Sequence, residues 1–272
     1  MKVNREHALL GSVLRKSGVS ADGVIVVHSA IAPLSRRGFR AEAMIEAFLD
    51  YMAAGTVVMP TMTWRTVTPE KPVWNEQTTR SETGIMTEIF RTRYASCRSI
   101  HPTHSVAAFG PAAAALVASH HLDNTPVSLR SPYGLMRGYD AFVMLLGVGL
   151  ESCTAIHLPE EVVAADVYVR PPESAKLYAC TDRRGMTHSV RARRHWRLDR
   201  DFPRFGPLLA ADGSLHSGDV EGCSYIIVRL ADLLKVVTAA LESNCHATLR
   251  DGKLAPVPNA GTDRTPSISK FN

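Results

Sequence analysis

Two short apolar runs separated by one amphipathic helix constrain this chain more than any other feature. Val24-Ile25-Val26-Val27, opened by Asp22-Gly23 and closed by His28-Ser29, reads as a buried strand. Ala41, Met44, Ile45, Phe48 and Leu49 then recur at three- and four-residue intervals, which predicts an amphipathic helix over 40–53. Gly55 ends that helix, and Thr56-Val57-Val58-Met59 forms a second buried run stopped by Pro60. A strand, a helix and a strand in that order call for a crossover connection and a parallel pair.

The rest of the chain extends this pattern. Phe142-Val143-Met144-Leu145-Leu146 is the clearest buried run, ending in Gly147-Val148-Gly149, and a helix is expected over 154–164. Further helices are expected over 84–92, from Pro111 onward and over 230–241, with strands over 105–109 and 225–228. Residues 61–82 are polar and contain Pro69 and Pro72; a loop of that length inside a compact domain is usually functional. With 272 residues and no internal repeat, the expected fold is α/β. It is a single domain over residues 1–243 with a central, mostly parallel sheet flanked by helices. A smaller β-rich segment lies near residues 165–200, and residues 244–272 form an irregular C-terminal extension.

Charge and cysteine usage narrow the class. Charged residues make up 21% of the chain, and no stretch approaches the ~20 unbroken apolar residues of a spanning helix, so no membrane partner is expected. The pattern after Met1 is broken by Arg15 and Lys16 rather than resembling a signal-peptide core, which points to a soluble, cytoplasmic protein. Five scattered cysteines without a CxxC pair argue against a disulfide framework or a zinc ribbon. The net charge of +5 gathers partly at Arg191, Arg193, Arg194, Arg197 and Arg200. No groove-reading or aromatic-interleaved motif accompanies this cluster, so a solvated basic face or one that meets an anionic ligand fits better than nucleic acid.

Three constellations can carry chemistry. Val27-His28-Ser29-Ala30 stands at a strand end, the usual ligand crevice of an open α/β sheet. In Arg98-Ser99-Ile100-His101-Pro102-Thr103-His104-Ser105-Val106 the two histidines, three apart on an extended segment, face opposite ways. A metal-dependent hydrolase would need His157 and Glu160 beside them, and with no HExxH spacing no metal is expected. The third is Cys153-Thr154-Ala155-Ile156-His157-Leu158-Pro159-Glu160. On a helix, His157 and Glu160 share one face, and a carboxylate beside an imidazole fixes its tautomer and raises its basicity, as a general base requires. Pro159 fits best in a first turn, which would start the helix later than 154. Cys153, four residues ahead of the histidine, offers a rival covalent route through an acyl thioester.

In order and spacing, these pieces resemble the aminoglycoside 3-N-acetyltransferase family. The likeness runs from Val27-His28-Ser29-Ala30 through Gly55–Thr61, Thr83-Gly84, Arg98–Ser105, Ser131-Pro132-Tyr133-Gly134 and Leu145–Gly149 to Thr154–Glu160. It spans roughly residues 5–240. The resemblance implies an acetyl-CoA-dependent acyltransferase working by direct transfer to the amine of an aminoglycoside-type or other amino-sugar substrate. It makes His157 the general base and Glu160 its orienting partner. It assigns His28, Ser29, Ala30, Arg98, Ser99, His104, Ser105 and Val106 to coenzyme A, and Thr63, Trp64, Asn75, Glu76 and Asp199 to the acceptor. It also leaves room for a homodimer. Three departures stand out: Cys153 replaces a family Asn, the loop after Pro60 reads Thr63-Trp64-Arg65-Thr66 where the family carries an aspartate, and Asn75-Glu76 occupies the loop's later acidic position. A basic chain is a poor host for a polycationic drug, so an amine bearing phosphate or phosphonate, or coenzyme A binding without transfer, are the alternatives.

Overall fold

In a computed structural model, residues 5–250 are described. The strands are β1 (Val24–Ser29), β2 (Thr56–Pro60), β3 (Val73–Asn75), β4 (Cys97–Arg98), β5 (Val106–Phe109), β6 (Ala141–Leu146), β7 (Lys176–Thr181), β8 (Thr187–Ala192), β9 (Leu215–Val220) and β10 (Cys223–Arg229). Seven of them form one sheet in the order β4-β5-β2-β1-β6-β10-β9, and β3-β7-β8 form a second.

The α/β class and the crossover stand, but the large sheet is mixed rather than mostly parallel. Among its described pairings only β1–β2 and β1–β6 are parallel. The β2–β5, β4–β5, β6–β10 and β9–β10 ladders are antiparallel. β4 and β5, and β9 and β10, are joined too briefly for a crossover. β9 and β10 are joined by Glu221-Gly222, both with positive φ (54° and 74°), the conformation a tight hairpin turn requires.

The three central strands are buried on both faces, and their residues alternate between two cores. Val24, Val26, Val143 and Leu145 pack on one side with the helices His157–Val163 and Leu230–Ser243. Ile25, Val27, Met144 and Leu146 pack on the other, against Arg5–Lys16 and Ala41–Tyr51. Continuous apolar runs are therefore required here, and period-two alternation appears only in which core each residue joins.

The smaller sheet contains the β-rich segment expected near 165–200, as the antiparallel pair β7–β8, and recruits β3 from the polar loop. Trp74 is fully buried there beside Tyr178, Cys180 and Val190. Most of the expected C-terminal extension, 251–272, lies outside the described residues. Residues 244–250 fold back on the domain, burying Thr248 and Leu249. Among the described residues, no helix is long and apolar enough to cross a membrane.

Candidate active site

The parallel strands point their carboxyl ends at one cleft of about 1560 Å³. That exceeds the ~300–1,000 Å³ of a typical small-ligand pocket, leaving room for two ligands side by side. His28, Ser29 and Ala30 enter from the end of β1, Pro60 and Met62 from the end of β2, and Val148 and Ser152 from the segment after β6. Gly147 makes this convergence possible: its φ is +69°, and a Cβ there would sit 2.2 Å from the Ala30 carbonyl oxygen.

His157 opens the helix His157–Val163 after a short 3₁₀ turn over Thr154–Ile156, with Pro159 in its first turn. Its Nδ1 donates to Glu160 Oε2 over 2.7 Å, which joins the two residues as the spacing predicts. An ionised carboxylate can only accept, so Nδ1 carries the proton and Nε2 the lone pair. The ring lines the cleft with an 18% exposed side chain, while Glu160 is wholly buried beneath it. Arg200 Nε donates to both Glu160 oxygens at 2.9 and 3.1 Å, and the Thr248 hydroxyl donates to Oε1. Burial alone would raise this carboxyl's pKa, but the charge and hydrogen bond of His157 and the Arg200 guanidinium outweigh it and hold it at about 2.

A second imidazole–carboxylate pair stands beside the first, and sequence reading missed it. His195 Nε2 lies 2.6 Å from Glu161 Oε1, which also accepts from the Val127 amide at 2.8 Å. The rings of His157 and His195 are 4.5 Å apart between centroids, and His104 follows 5.4 Å beyond His195. His195, His104 and Trp64 all line the cleft. Only the adjacency of Glu160 and Glu161 could have hinted at the pair, because His195 arrives from 34 residues beyond its carboxylate.

The remaining expected residues divide by burial. Of the residues expected to meet coenzyme A, His28 and Ser29 line the cleft, and His28 Nε2 and Ser29 Oγ are buried with no partner among the described residues. Burial pushes the His28 imidazole down to about 4, so it is neutral. Arg98, Ser99, Ser105 and Val106 sit behind the wall instead of lining it. Arg98, expected to meet an anion, donates to the Thr61 and Ser105 hydroxyls and to the carbonyls of Thr61, Glu76 and Thr79, which pins the loop to β4. Ser99 bonds His120, and Ser105 donates to the Thr61 carbonyl.

On the acceptor side only Trp64 lines the cleft. Thr63 is buried and donates to the Pro102 carbonyl; Asn75 accepts from the Gln77 and Thr78 amides. Glu76 is taken by Arg183, and Asp199 lies 3.4 Å from Arg250. Motif position alone does not tell a lining side chain from one spent on holding a loop.

Charge in the cleft is lopsided. Six arginines (Arg36, Arg65, Arg170, Arg194, Arg197 and Arg200) line it against Glu70, Glu82 and Glu151, with the charge of Arg200 matched by Glu160. Glu82 accepts from the Arg65 and Thr66 amides and Glu151 from the Gly149 amide, so two of the three acids are engaged locally. Cys153 also borders the cleft, but burial raises its thiol to about 12, far from a thiolate at neutral pH.

Sequence and structure comparisons place these features among known proteins. The sequence profile described as Aminoglycoside 3-N-acetyltransferase matches residues 26–242. Aminoglycoside N(3)-acetyltransferase IV of Salmonella sp is 32% identical over 157 residues, covering 57% of this chain and 58% of that protein. The SPbeta prophage-derived aminoglycoside N(3')-acetyltransferase-like protein YokD of Bacillus subtilis (strain 168) is 26% identical over 168 residues, covering 54% and 61%. In sequence, then, the chain spans about three fifths of these relatives' lengths. In structure the correspondence is wider: the crystal structure of YokD superposes with a TM-score of 0.73 at 21% identity over 90% of this chain and 96% of that one. AAC-IIIb, solved as a binary with CoASH, superposes with a TM-score of 0.72 at 21% identity over 87% and 96%.

Proposed function

Because the chain belongs to the aminoglycoside 3-N-acetyltransferase family, we propose that it moves an acetyl group from acetyl-CoA directly onto the amine of an amino sugar, with His157 as general base. The observation that carries this reading is the His157–Glu160 pair, an imidazole at the cleft wall with its tautomer fixed by a buried, ionised carboxylate. An ammonium has no lone pair, so an acceptor amine needs a base within reach before it can attack a carbonyl. Glu160 also stabilises the imidazolium that forms, and Arg200 and Thr248 keep that carboxylate charged and in place.

Acetyl-CoA supplies the thioester carbonyl. The residues that suit it are His28, Ser29 and Ala30, where two buried polar atoms lack partners among the described residues and the cleft is wide enough for a second ligand. Direct transfer agrees with the chemistry of Cys153, whose buried, protonated thiol is a poor nucleophile.

The arginine excess favours a second reading of the acceptor, an amine that also bears a phosphate or phosphonate. Free thiol released from acetyl-CoA, followed with gentamicin, glucosamine and glucosamine 6-phosphate, tests both. Release with any of them supports acyl transfer, and a preference for the phosphorylated sugar selects the anionic acceptor. Absence of amine-dependent release with all three overturns the proposal.

A further inference from the structure

Turning an ammonium into an amide removes two protons from one nitrogen, and the cleft holds two anchored imidazoles. We propose that His195, held by Glu161, is a second base that takes the first of these protons, leaving the second to His157. The inference rests on the acyl-transfer reading above.

The geometry is that of two parallel devices built on consecutive residues of one helix. Glu160 holds His157 through Nδ1 at 2.7 Å, and Glu161 holds His195 through Nε2 at 2.6 Å. The uncommitted nitrogens are therefore Nε2 of His157 and Nδ1 of His195, on rings whose centroids lie 4.5 Å apart in the wall of the same cleft. Burying two carboxylates side by side is costly unless each is paired, and here each has its own imidazole and its own further donor.

The steps balance. A proton on the substrate ammonium passes to His195 Nδ1, while the Nε2 proton stays on or shifts toward Glu161. The freed lone pair forms a C–N bond to the thioester carbonyl carbon. His157 Nε2 then takes a second proton from that nitrogen as the C–S bond breaks. The sulfur leaves with its electron pair and receives the proton from His157. The products are amide, thiol and one proton, which the His195–Glu161 pair returns to solvent.

The surroundings suit this role. His157, Arg200 and Glu160 act on His195 electrostatically, Arg194 acts on the neighbouring His104, and the His104 ring meets the His195 ring edge-on at 5.4 Å. Burial, then the charges of His157 and Arg200, push the His195 imidazole well below its usual range, which keeps it uncharged beside His157. Burial pushes Glu161 up to about 7, so above that pH the carboxylate is ionised, accepts the Nε2 proton of His195 and leaves the Nδ1 lone pair free.

The test uses the full-length protein, acetyl-CoA and glucosamine, with thiol release measured at about pH 7 and about pH 9. At the lower pH the sugar nitrogen is an ammonium and both bases are needed; at the higher pH it is a free amine and only His157 is. His195→Asn and Glu161→Gln should each lose ~10²-fold at low pH, with the ratio of variant to unmodified rate rising by at least ~10-fold at high pH. His157→Gln should stay depressed at both. An equal loss at the two pH values in both His195→Asn and Glu161→Gln overturns the second-base assignment and leaves acyl transfer standing. No thiol release by the unmodified protein at either pH overturns both.

Discussion

Glu160→Gln is the substitution whose consequences the structure fixes most tightly. The carboxylate is fully buried and receives His157 Nδ1, Arg200 Nε and the Thr248 hydroxyl. Glutamine keeps the volume but turns one acceptor into a donor and removes the charge opposite Arg200, whose side chain is only 14% exposed. Breaking one half of a buried pair costs about 3–5 kcal/mol. The pKa gives a similar figure: a fall from 4.5 to about 2 corresponds to about 3 kcal/mol favouring the charged form. At roughly 2–4 °C per kcal/mol for a domain of this size, Tm should drop by ~6–20 °C.

The folded carboxyl's pKa lies below its unfolded value. Its contribution is therefore complete above about pH 4.5 and is lost as pH falls through about 2, a slope that Glu160→Gln should lack. Turnover falls for a separate reason. An amide N–H aimed at His157 Nδ1 drives the ring proton to Nε2 and removes the lone pair, a loss of ~10²-fold or more. Differential scanning calorimetry between about pH 2 and pH 7, with thiol release on the same samples, reads both effects. A Tm within a degree or two of the parent, or unchanged turnover, would refute the reasoning.

Other substitutions divide the account into parts. Cys153→Ala should keep turnover within about threefold, since its thiol is buried and protonated; a loss above ~10²-fold in thiol release would reinstate a covalent thioester. Thr248→Val removes the hydroxyl shared by Glu160 and Tyr168 and should cost ~1–3 kcal/mol in denaturant unfolding; no change would show that hydroxyl to be idle. Arg98→Met should destabilise by ~3 kcal/mol or more, because five acceptors lose a donor, while coenzyme A affinity by calorimetry stays within about twofold. A large affinity loss in a stably folded variant would instead place Arg98 on the ligand.

The sequence displays those features whose cause is local. β1, β2 and β6 are continuous apolar runs because both faces are covered, and His157 with Glu160 is an i,i+3 pair on one helix. β9 reads Leu215-His216-Ser217-Gly218-Asp219-Val220, is exposed along most of its length and exists by pairing with β10, so it carries no periodic signal. β3 is three residues long and is held by Trp74 packing under β7. Arg200, His195 and Thr248 reach the site from 40, 34 and 88 residues beyond the glutamates they bond, distances that no local spacing encodes. Arg98 misleads for the converse reason: an arginine suits a phosphate and a cage of carbonyls equally well, and only burial distinguishes them.

The central claim is that one imidazole in the cleft strips the acceptor nitrogen. His157→Ala, compared with the parent for thiol release from acetyl-CoA and for coenzyme A binding by calorimetry, tests it most directly. The account predicts a fall of ~10²-fold or more in turnover, with the dissociation constant changed by less than about threefold. Turnover preserved within about threefold would contradict it.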